Sequence, residues 1–363
     1  MTDYKDLNTA ARILLGPGPS TADPRVLRAM AQPLVGHLDP QFIALMNENQ
    51  ELLRFVFQTS NELTIPVSGT GSASMEASMC NFIEPGDSVV IGVNGYFGER
   101  LSDMASRYGA EVRRLERPWG EVFDPGEFEA ELKRQPAKLI GVVHAETSTG
   151  AMQPMAGLAD VAHKHGALLV MDCVTSLGGL PVKVDDWGVD VAYSGTQKCL
   201  SCPPGLGPLT VSPRARQALQ KRTTPVANWY LDLSLVEKYW GSARTYHHTA
   251  PISMNYALRE ALRLVHEEGL EARFARHRAN AELLWAGLEG LGLEPGLEAG
   301  YAWTWGSSQL LLHGGLRFGW NVLWLRPDRG NDLRYDWSDI LFSVGVEFRW
   351  RLSKRVAFQM ALG

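Results

Sequence analysis

Apolar and polar positions divide this chain of 363 residues into two parts with different periods. Between about residues 13 and 292, short apolar runs alternate with stretches whose apolar positions recur at helical spacing. The predicted strands span residues 88–93, 111–115, 138–143, 167–172, 189–194 and 207–211. The predicted helices span residues 41–58, 71–83, 97–108, 125–134 and 154–165, followed by a helical region near 253–291. Strands that alternate with helices in this way predict an α/β fold with a mostly parallel sheet.

From residue 301 onward the period changes to two. Residues 342–352 alternate strictly between apolar and polar side chains, and residues 356–362 continue the alternation after a Ser353–Lys354 turn. Six of the 11 tryptophans lie in this part, at positions 303, 305, 320, 324, 337 and 350. This pattern predicts an antiparallel meander with one apolar face. Aromatic-rich strands of about ten residues are also typical of outer-membrane barrels, so both interpretations stay open for this β-rich tail.

Composition excludes several classes of protein. The chain is 45% hydrophobic and 21% charged with a net charge of −5, and it has no block of like charges that would bind nucleic acid. No apolar window is long enough for a transmembrane helix, and charges interrupt the N-terminal residues where a secretory signal would need an apolar run. Cys199 and Cys202 lack the second pair of a zinc site, so no metal is expected. We therefore expect a cytoplasmic protein.

Candidate chemistry lies in three loops at the carboxyl ends of predicted strands, where open parallel sheets bind ligands. The first loop, residues 67–76, is a turn of small residues that opens a helix. Its backbone N–H groups, with the hydroxyls of Thr70 and Ser72, suit a phosphate. An ordinary helix N-cap explains the same residues, and that alternative stays open.

The second and third loops supply a carboxylate and an amine. Asp172 ends a buried apolar strand, where an acid needs hydrogen bonds or a cation such as a protonated ring nitrogen. Lys198 lies between a strand end and a Pro-Gly turn, where desolvation would favour the neutral amine that attacks a carbonyl to form a Schiff base. A structural salt bridge for Asp172 and an exposed loop position for Lys198 are the alternatives.

Six sequence segments carry a family resemblance: LLGPGPS (14–20), EPGDSVV (84–90), HAETSTG (144–150), MDCVTSLGG (171–179), SGTQKCLSCPPG (194–205) and TYHHTAPIS (245–253). Together they resemble the alanine–glyoxylate (serine–pyruvate) branch of the class V aminotransferases, which are fold-type I pyridoxal-phosphate (PLP) enzymes. The resemblance covers about residues 12–293. The related cysteine desulfurases have a histidine before the lysine, where this chain has Gln197.

The resemblance implies roles for the residues of the site. Lys198 would form the Schiff base with PLP and then carry a proton as acid and base, while Asp172 would pair with the protonated ring nitrogen. Phe97 would stack on the ring, in place of the tryptophan of many members, and Thr147 would contact the ring hydroxyl. The phosphate would be held by Thr70, Gly71, Ser72 and Gln197.

The resemblance also implies an activity and an assembly. The expected reaction is transamination between a small amino acid, alanine or serine, and a 2-oxo acid, glyoxylate or pyruvate, with alanine–glyoxylate transaminase as the expected enzyme. Tyr246 and Thr249 would reach the phosphate of a neighbouring subunit, so a homodimer with shared sites is expected.

The chain departs from the family after residue 293. No segment there resembles the one in which the family carries the arginine that binds the substrate carboxylate. We therefore expect an N-terminal arm (1–20), a large PLP-binding domain (21–250), the helical start of a small domain (251–293) and an atypical tail (294–363), possibly fused or frame-shifted. The alternative hypothesis is a PLP-binding chain that is catalytically impaired and has a membrane-seeking β tail.

Overall fold

The computed structural model describes residues 5–10, 12, 14, 16–290, 298–305, 308–315, 320–325, 346–347 and 361–362. The helices are α1 (Pro24–Met30), α2 (Pro40–Phe57), α3 (Gly71–Cys80), α4 (Tyr96–Arg107), α5 (Pro125–Arg134), α6 (Leu158–Lys164), α7 (Pro213–Gln220), α8 (Leu233–Trp240), α9 (Ile252–Glu268) and α10 (Leu270–Gly290). The strands of the main sheet are β1 (Leu63–Ser68), β2 (Ser88–Val93), β3 (Glu111–Glu116), β4 (Leu139–Val143), β5 (Leu168–Asp172), β6 (Val191–Tyr193) and β7 (Leu206–Val211).

These seven strands form one sheet in the order β1-β7-β6-β5-β4-β2-β3. The strands from β6 to β3 are parallel, and β7 runs antiparallel to both of its neighbours. The predicted α/β class with a mostly parallel sheet is confirmed. Strand β1 was not predicted, because Pro66 interrupts an otherwise strand-like run. The structure accommodates this proline on an edge strand, opposite Pro208.

Successive side chains of the central strands enter two separate cores, one on each face of the sheet. In β5, Leu169 and Met171 pack with α5, α6 and α9, whereas Leu168 and Val170 pack with α3, α4 and α8. All four side chains are buried, as expected for a strand covered on both faces. Asp172 follows the alternation, so its side chain lies on the face that α3 and α4 cover.

The predicted helical region 253–291 is divided in two. Helix α9 ends at Gly269, which has a φ of +79° and donates its N–H to the carbonyl of Val265. A left-handed conformation of this kind favours glycine and stops the helical hydrogen-bond ladder. Helix α10 then begins at Leu270 and brings Arg273 back toward the main sheet.

Beyond α10, the described residues form short antiparallel strands. Strands β8 (Glu298–Trp305), β9 (Ser308–Gly315) and β10 (Trp320–Leu325) form a three-stranded sheet. Val346 and Glu347 pair with Leu362 and Ala361. Most of the predicted meander over 342–352 and 356–362 lies outside the described residues. Within the described part of the chain, no helix combines the length and apolar character needed to cross a bilayer.

Candidate active site

The predicted site residues come from loops at the carboxyl-terminal edge of the parallel strands. Strand β5 ends at Asp172, and its neighbour β6 ends at Tyr193, five residues before Lys198. The turn after β1 opens α3, and the loop after β2 opens α4, which carries Phe97. Because β1 runs parallel to β6, all these loops meet at one edge.

The turn before α3 presents unused hydrogen-bond donors. Thr70 occupies the N-cap position, but its side chain makes no capping hydrogen bond, and Thr70 and Ser72 are exposed. In the part of the chain that the structure describes, the backbone N–H groups of Gly71 and Ser72 have no hydrogen-bond partner. The first amides of a helix carry partial positive charge and suit an anion. Thr70 is thus a helix N-cap without a side-chain capping hydrogen bond, as the ordinary N-cap alternative also allows, and the free amides make an anion site a prediction.

This turn is packed against the segment that leads to Lys198. The Ser74 hydroxyl donates to the carbonyl of Ser194 over 2.8 Å. A β-carbon added to Gly71 would lie 3.2 Å from the α-carbon of Gly195, so the two backbones touch where a larger residue has little room. The candidate phosphate turn and the lysine loop are thus held together as one unit.

Asp172 is a buried acid with two neutral donors and no cation. Its side chain accepts hydrogen bonds from the backbone N–H of Val174 and the Tyr193 hydroxyl, each 2.9 Å long. Burial raises the pKa of Asp172 to about 7, although both hydrogen bonds oppose the rise. Among the described residues it forms no salt bridge. A protonated ring nitrogen would supply the missing positive charge.

Lys198 is half-buried, and its amine makes a hydrogen bond to the main chain. Its Nζ donates a hydrogen bond of 2.9 Å to the carbonyl of Pro17. Burial lowers the pKa of Lys198, and the negative charge of Asp172 counteracts this effect. A lysine in these surroundings gives up its proton more readily than an exposed one, as a nucleophilic amine requires. The exposed-loop alternative for Lys198 is therefore not supported.

Residues 16–20 cover the lysine, a contact that sequence reasoning missed. The Ser20 hydroxyl donates to the carbonyl of Lys198 over 2.7 Å, and Ser20 N–H donates to the carbonyl of Gln197. Gly18 has a φ of +146°, and a β-carbon there would lie 2.5 Å from Lys198 Nζ. The dense glycine and proline of LLGPGPS are the sequence signal for such a close approach.

Helix α4 is held at its start by an acid that sequence reasoning also missed. Glu146 is buried, and its carboxylate accepts hydrogen bonds from the backbone N–H groups of Phe97 and Gly98. The same carboxylate accepts from the hydroxyl of Ser148 over 2.7 Å. The loop after β4 therefore fixes the position of Phe97, while Thr147, also buried, lies within this loop.

Two arginines approach the site from outside the predicted set. Arg100 Nη1 donates to the Ser72 hydroxyl over 3.3 Å, and its guanidinium carbon lies 4.9 Å from the centre of the Phe97 ring. Arg273, which is buried, donates to the carbonyls of Gly178 and Cys199. Neither residue stands out in the sequence, because each looks like a charged position on an exposed helix face.

Tyr246 and Thr249 lie at the surface of this chain. Tyr246 is 59% exposed, and Thr249 is also exposed. Between them, His248 hydrogen-bonds to the Ser68 hydroxyl over 2.7 Å, and Ser68 lies two residues before Thr70. This contact brings the loop that carries both residues close to the turn.

The described residues fit PLP. Gln197 Oε1 is buried without a hydrogen-bond partner, and rotation of the amide would present its NH₂ group to a phosphate instead. The buried carboxylate of Asp172 lacks a cation, which the ring nitrogen would provide. The free amides of Gly71 and Ser72 and the amine of Lys198 complete a donor set matched to a phosphate at one end and an aldehyde at the other.

Comparison with known proteins places the chain in a family. The family model described as Aminotransferase class-V matches residues 13–295. A (S)-ureidoglycine–glyoxylate transaminase of Bacillus subtilis is 43% identical over 311 residues, which cover 81% of this chain and 75% of the relative. An alanine–glyoxylate aminotransferase of Rattus norvegicus is 39% identical over 293 residues, 80% of this chain and 71% of the relative.

A solved structure agrees with these relatives. The alanine–glyoxylate aminotransferase of a Nostoc species superimposes with a TM-score of 0.80 and is 53% identical, covering 86% of this chain and 82% of that one. The relatives named here are transaminases, so they give no support to the alternative of a catalytically impaired chain.

Proposed function

This chain belongs to the class-V aminotransferases, and we propose that it transfers the amino group of alanine, serine or a similar small donor to glyoxylate or pyruvate. It is an aminotransferase with PLP as its cofactor. The observation that carries the finer proposal is the position of Lys198, whose half-buried amine interacts electrostatically with Asp172 and follows the segment that packs on the phosphate turn.

Glyoxylate is the acceptor we favour. The (S)-ureidoglycine–glyoxylate and alanine–glyoxylate enzymes differ in their amino donor, but both names contain glyoxylate. (S)-Ureidoglycine is therefore a second candidate donor beside alanine and serine, supported by the 43% identical relative.

PLP, when bound, supplies an aldehyde that condenses with amines and a ring that withdraws electrons. Lys198 provides the amine that holds it in the resting enzyme. With PLP and a substrate bound, the Nζ of Lys198 would remove the proton from the substrate α-carbon and later return a proton. Burial favours the neutral form that this base needs.

The remaining site residues would hold and orient the cofactor. Asp172 would keep a proton on the ring nitrogen, and Phe97, whose backbone is held by Glu146, would cover the ring. Thr147 lies in the same loop and would contact the ring hydroxyl. The phosphate would be held by Thr70, Gly71, Ser72 and Gln197.

We also propose a homodimer. The exposed side chains of Tyr246 and Thr249 would then complete the phosphate site of the partner, and the link from His248 to Ser68 would connect the two sites. Sedimentation velocity of the purified full chain tests this assembly: a dimer is expected, and a stable monomer with full PLP occupancy would contradict it.

A half-reaction tests the proposed chemistry. The full chain is loaded with PLP, and alanine, serine or (S)-ureidoglycine is added while the absorbance of the lysine-bound cofactor is followed. We expect at least one donor to remove that band and glyoxylate to restore it. Glyoxylate alone is the control and should change nothing. If no donor changes the spectrum, the proposed transamination is wrong.

A further inference from the structure

Arg100 differs from neighbouring arginines because it has no carboxylate partner. On the same helix, Arg107 pairs with Asp103 over 2.9 Å. The next arginines along the chain also pair with glutamates: Arg113, Arg114 and Arg117. Within the part of the chain that the structure describes, Arg100 forms no salt bridge. Its charge is therefore available to a ligand.

The guanidinium lies between two parts of the cofactor site. It donates to the Ser72 hydroxyl at the mouth of α3 and lies over the ring of Phe97, with 4.9 Å between the guanidinium carbon and the ring centre. Burial is the main cause of the pKa shifts at Asp172 and Lys198, but the positive charge of Arg100 lowers the pKa of both. The charge of Arg100 thus acts on both Asp172 and Lys198.

We propose that Arg100 binds the phosphate of PLP and so sets the affinity for the phosphorylated cofactor. This inference rests on the proposed function. A PLP phosphate carries up to two negative charges, whereas the start of α3 offers only about half a positive charge. Lys198 has to be neutral when it reacts. Arg100, one turn after Phe97, supplies the full charge that the turn lacks, in a planar group suited to phosphate oxygens.

A substrate carboxylate presents the same anionic oxygens, so the experiment has to separate the two sources. The cofactor-depleted full chain is titrated with PLP and, separately, with pyridoxal, which lacks the phosphate. Binding is followed by absorbance for the wild type, Arg100→Gln and Arg100→Lys. Arg107→Gln is the matched control, because Arg107 lies on the same helix and is 74% exposed.

Arg100→Gln should weaken PLP binding by about 10- to 100-fold, since charge-assisted hydrogen bonds to phosphate are lost. Pyridoxal binding should change by less than about threefold. Arg100→Lys should lie between the wild type and Arg100→Gln for PLP, because it keeps the charge but loses the planar fork. Arg107→Gln should match the wild type with both ligands.

Equal weakening of PLP and pyridoxal would show that Arg100 only supports the fold or Phe97, and the proposal would be wrong. It would also be wrong if Arg100→Gln kept its PLP affinity but needed much more alanine in the half-reaction, because the guanidinium would then bind the substrate. If no amino donor reacts with the wild type while the difference between PLP and pyridoxal persists, the proposed function fails and the role of Arg100 stands.

Discussion

The Tyr193 hydroxyl donates a 2.9 Å hydrogen bond to the carboxylate of Asp172, and the two residues are direct neighbours on parallel strands β5 and β6. Both side chains are buried. Tyr193 therefore orients the carboxylate without neutralising it, and burial makes the ionised form of the acid unfavourable unless a cation pairs with it. Asp172, oriented by Tyr193, therefore favours the binding of a positively charged group at this point of the sheet edge.

Asp172→Asn should stabilise the cofactor-free protein at pH 8. Burial raises the pKa of Asp172 from its ordinary 3.8 to about 7, so the folded chain binds more protons than the unfolded chain between these values. The stability from this carboxyl is fully present below about pH 4 and is lost as the pH rises through 7. Urea unfolding should show a gain of roughly 2–4 kcal/mol for the variant at pH 8.

The same comparison at pH 4 is the control, because the wild-type carboxyl is then largely protonated in the folded chain and the gain should disappear. With PLP bound, the wild type should be more stable than Asp172→Asn, since asparagine cannot neutralise a protonated ring nitrogen. A variant that binds PLP as tightly as the wild type would contradict the pairing.

Lys198→Ala should abolish the covalent attachment of PLP. Reduction of the loaded wild type with borohydride should fix the cofactor on the peptide that contains Lys198, and mass spectrometry should find that peptide heavier by the reduced cofactor. Lys221→Ala, at an exposed position, is the control and should label like the wild type. Labelling of another lysine in the wild type would refute the assignment.

Gly18→Ala should impair cofactor binding. The added methyl would lie 2.5 Å from Lys198 Nζ, and the φ of +146° is unfavourable for alanine. Displacement of the flexible amine is easy, so the free energy of unfolding should fall by only about 1–2 kcal/mol, whereas the PLP titration should weaken clearly. Gly16→Ala is the matched control, because its β-carbon would meet nothing within 4 Å. If Gly18→Ala and Gly16→Ala gave equal PLP titration curves, the contact between residue 18 and Lys198 would have no role in cofactor binding.

Glu146→Gln should lower stability and loosen the cofactor. The carboxylate receives the first N–H groups of α4, and an uncharged amide would lose its favourable interaction with the helix start. We expect a loss of about 1–3 kcal/mol in urea unfolding. Glu116→Gln, at a side chain that is 64% exposed, should change little. Indistinguishable stabilities would argue against a role in anchoring the helix.

The fold was largely accessible from the sequence because buried parallel strands are continuous apolar runs. Residues 88–93 and 125–134 were placed as the structure has them. Strand β1 was missed because proline has a low propensity for strands. Pro66 is tolerated because β1 lies at the edge of the sheet and, among the described strands, pairs only with β7, which the sequence does not reveal. The division at Gly269 depends on a single backbone conformation that an amphipathic pattern does not reveal.

Site residues could be predicted from the sequence where a single segment indicates the chemistry. They could not be predicted where their role depends on contacts between distant segments. Asp172 and Lys198 were predicted from their positions at and shortly after strand ends, and their roles stay predictions. Pro17, Glu146 and Arg100 matter because the fold brings them to Lys198, Phe97 and Ser72, and no periodicity encodes that proximity. The domain boundaries, the origin of the tail and the cytoplasmic location stay predictions.

The contact between Pro17 and Lys198 places the glycine- and proline-rich segment next to the nitrogen that PLP would bond to. The main-chain carbonyl of Pro17 accepts a hydrogen bond from the nitrogen of Lys198. A cofactor aldehyde that bonds to this nitrogen would compete with that carbonyl for it. Cleavage within residues 16–20 should therefore change the rate at which the absorbance band of lysine-bound PLP appears.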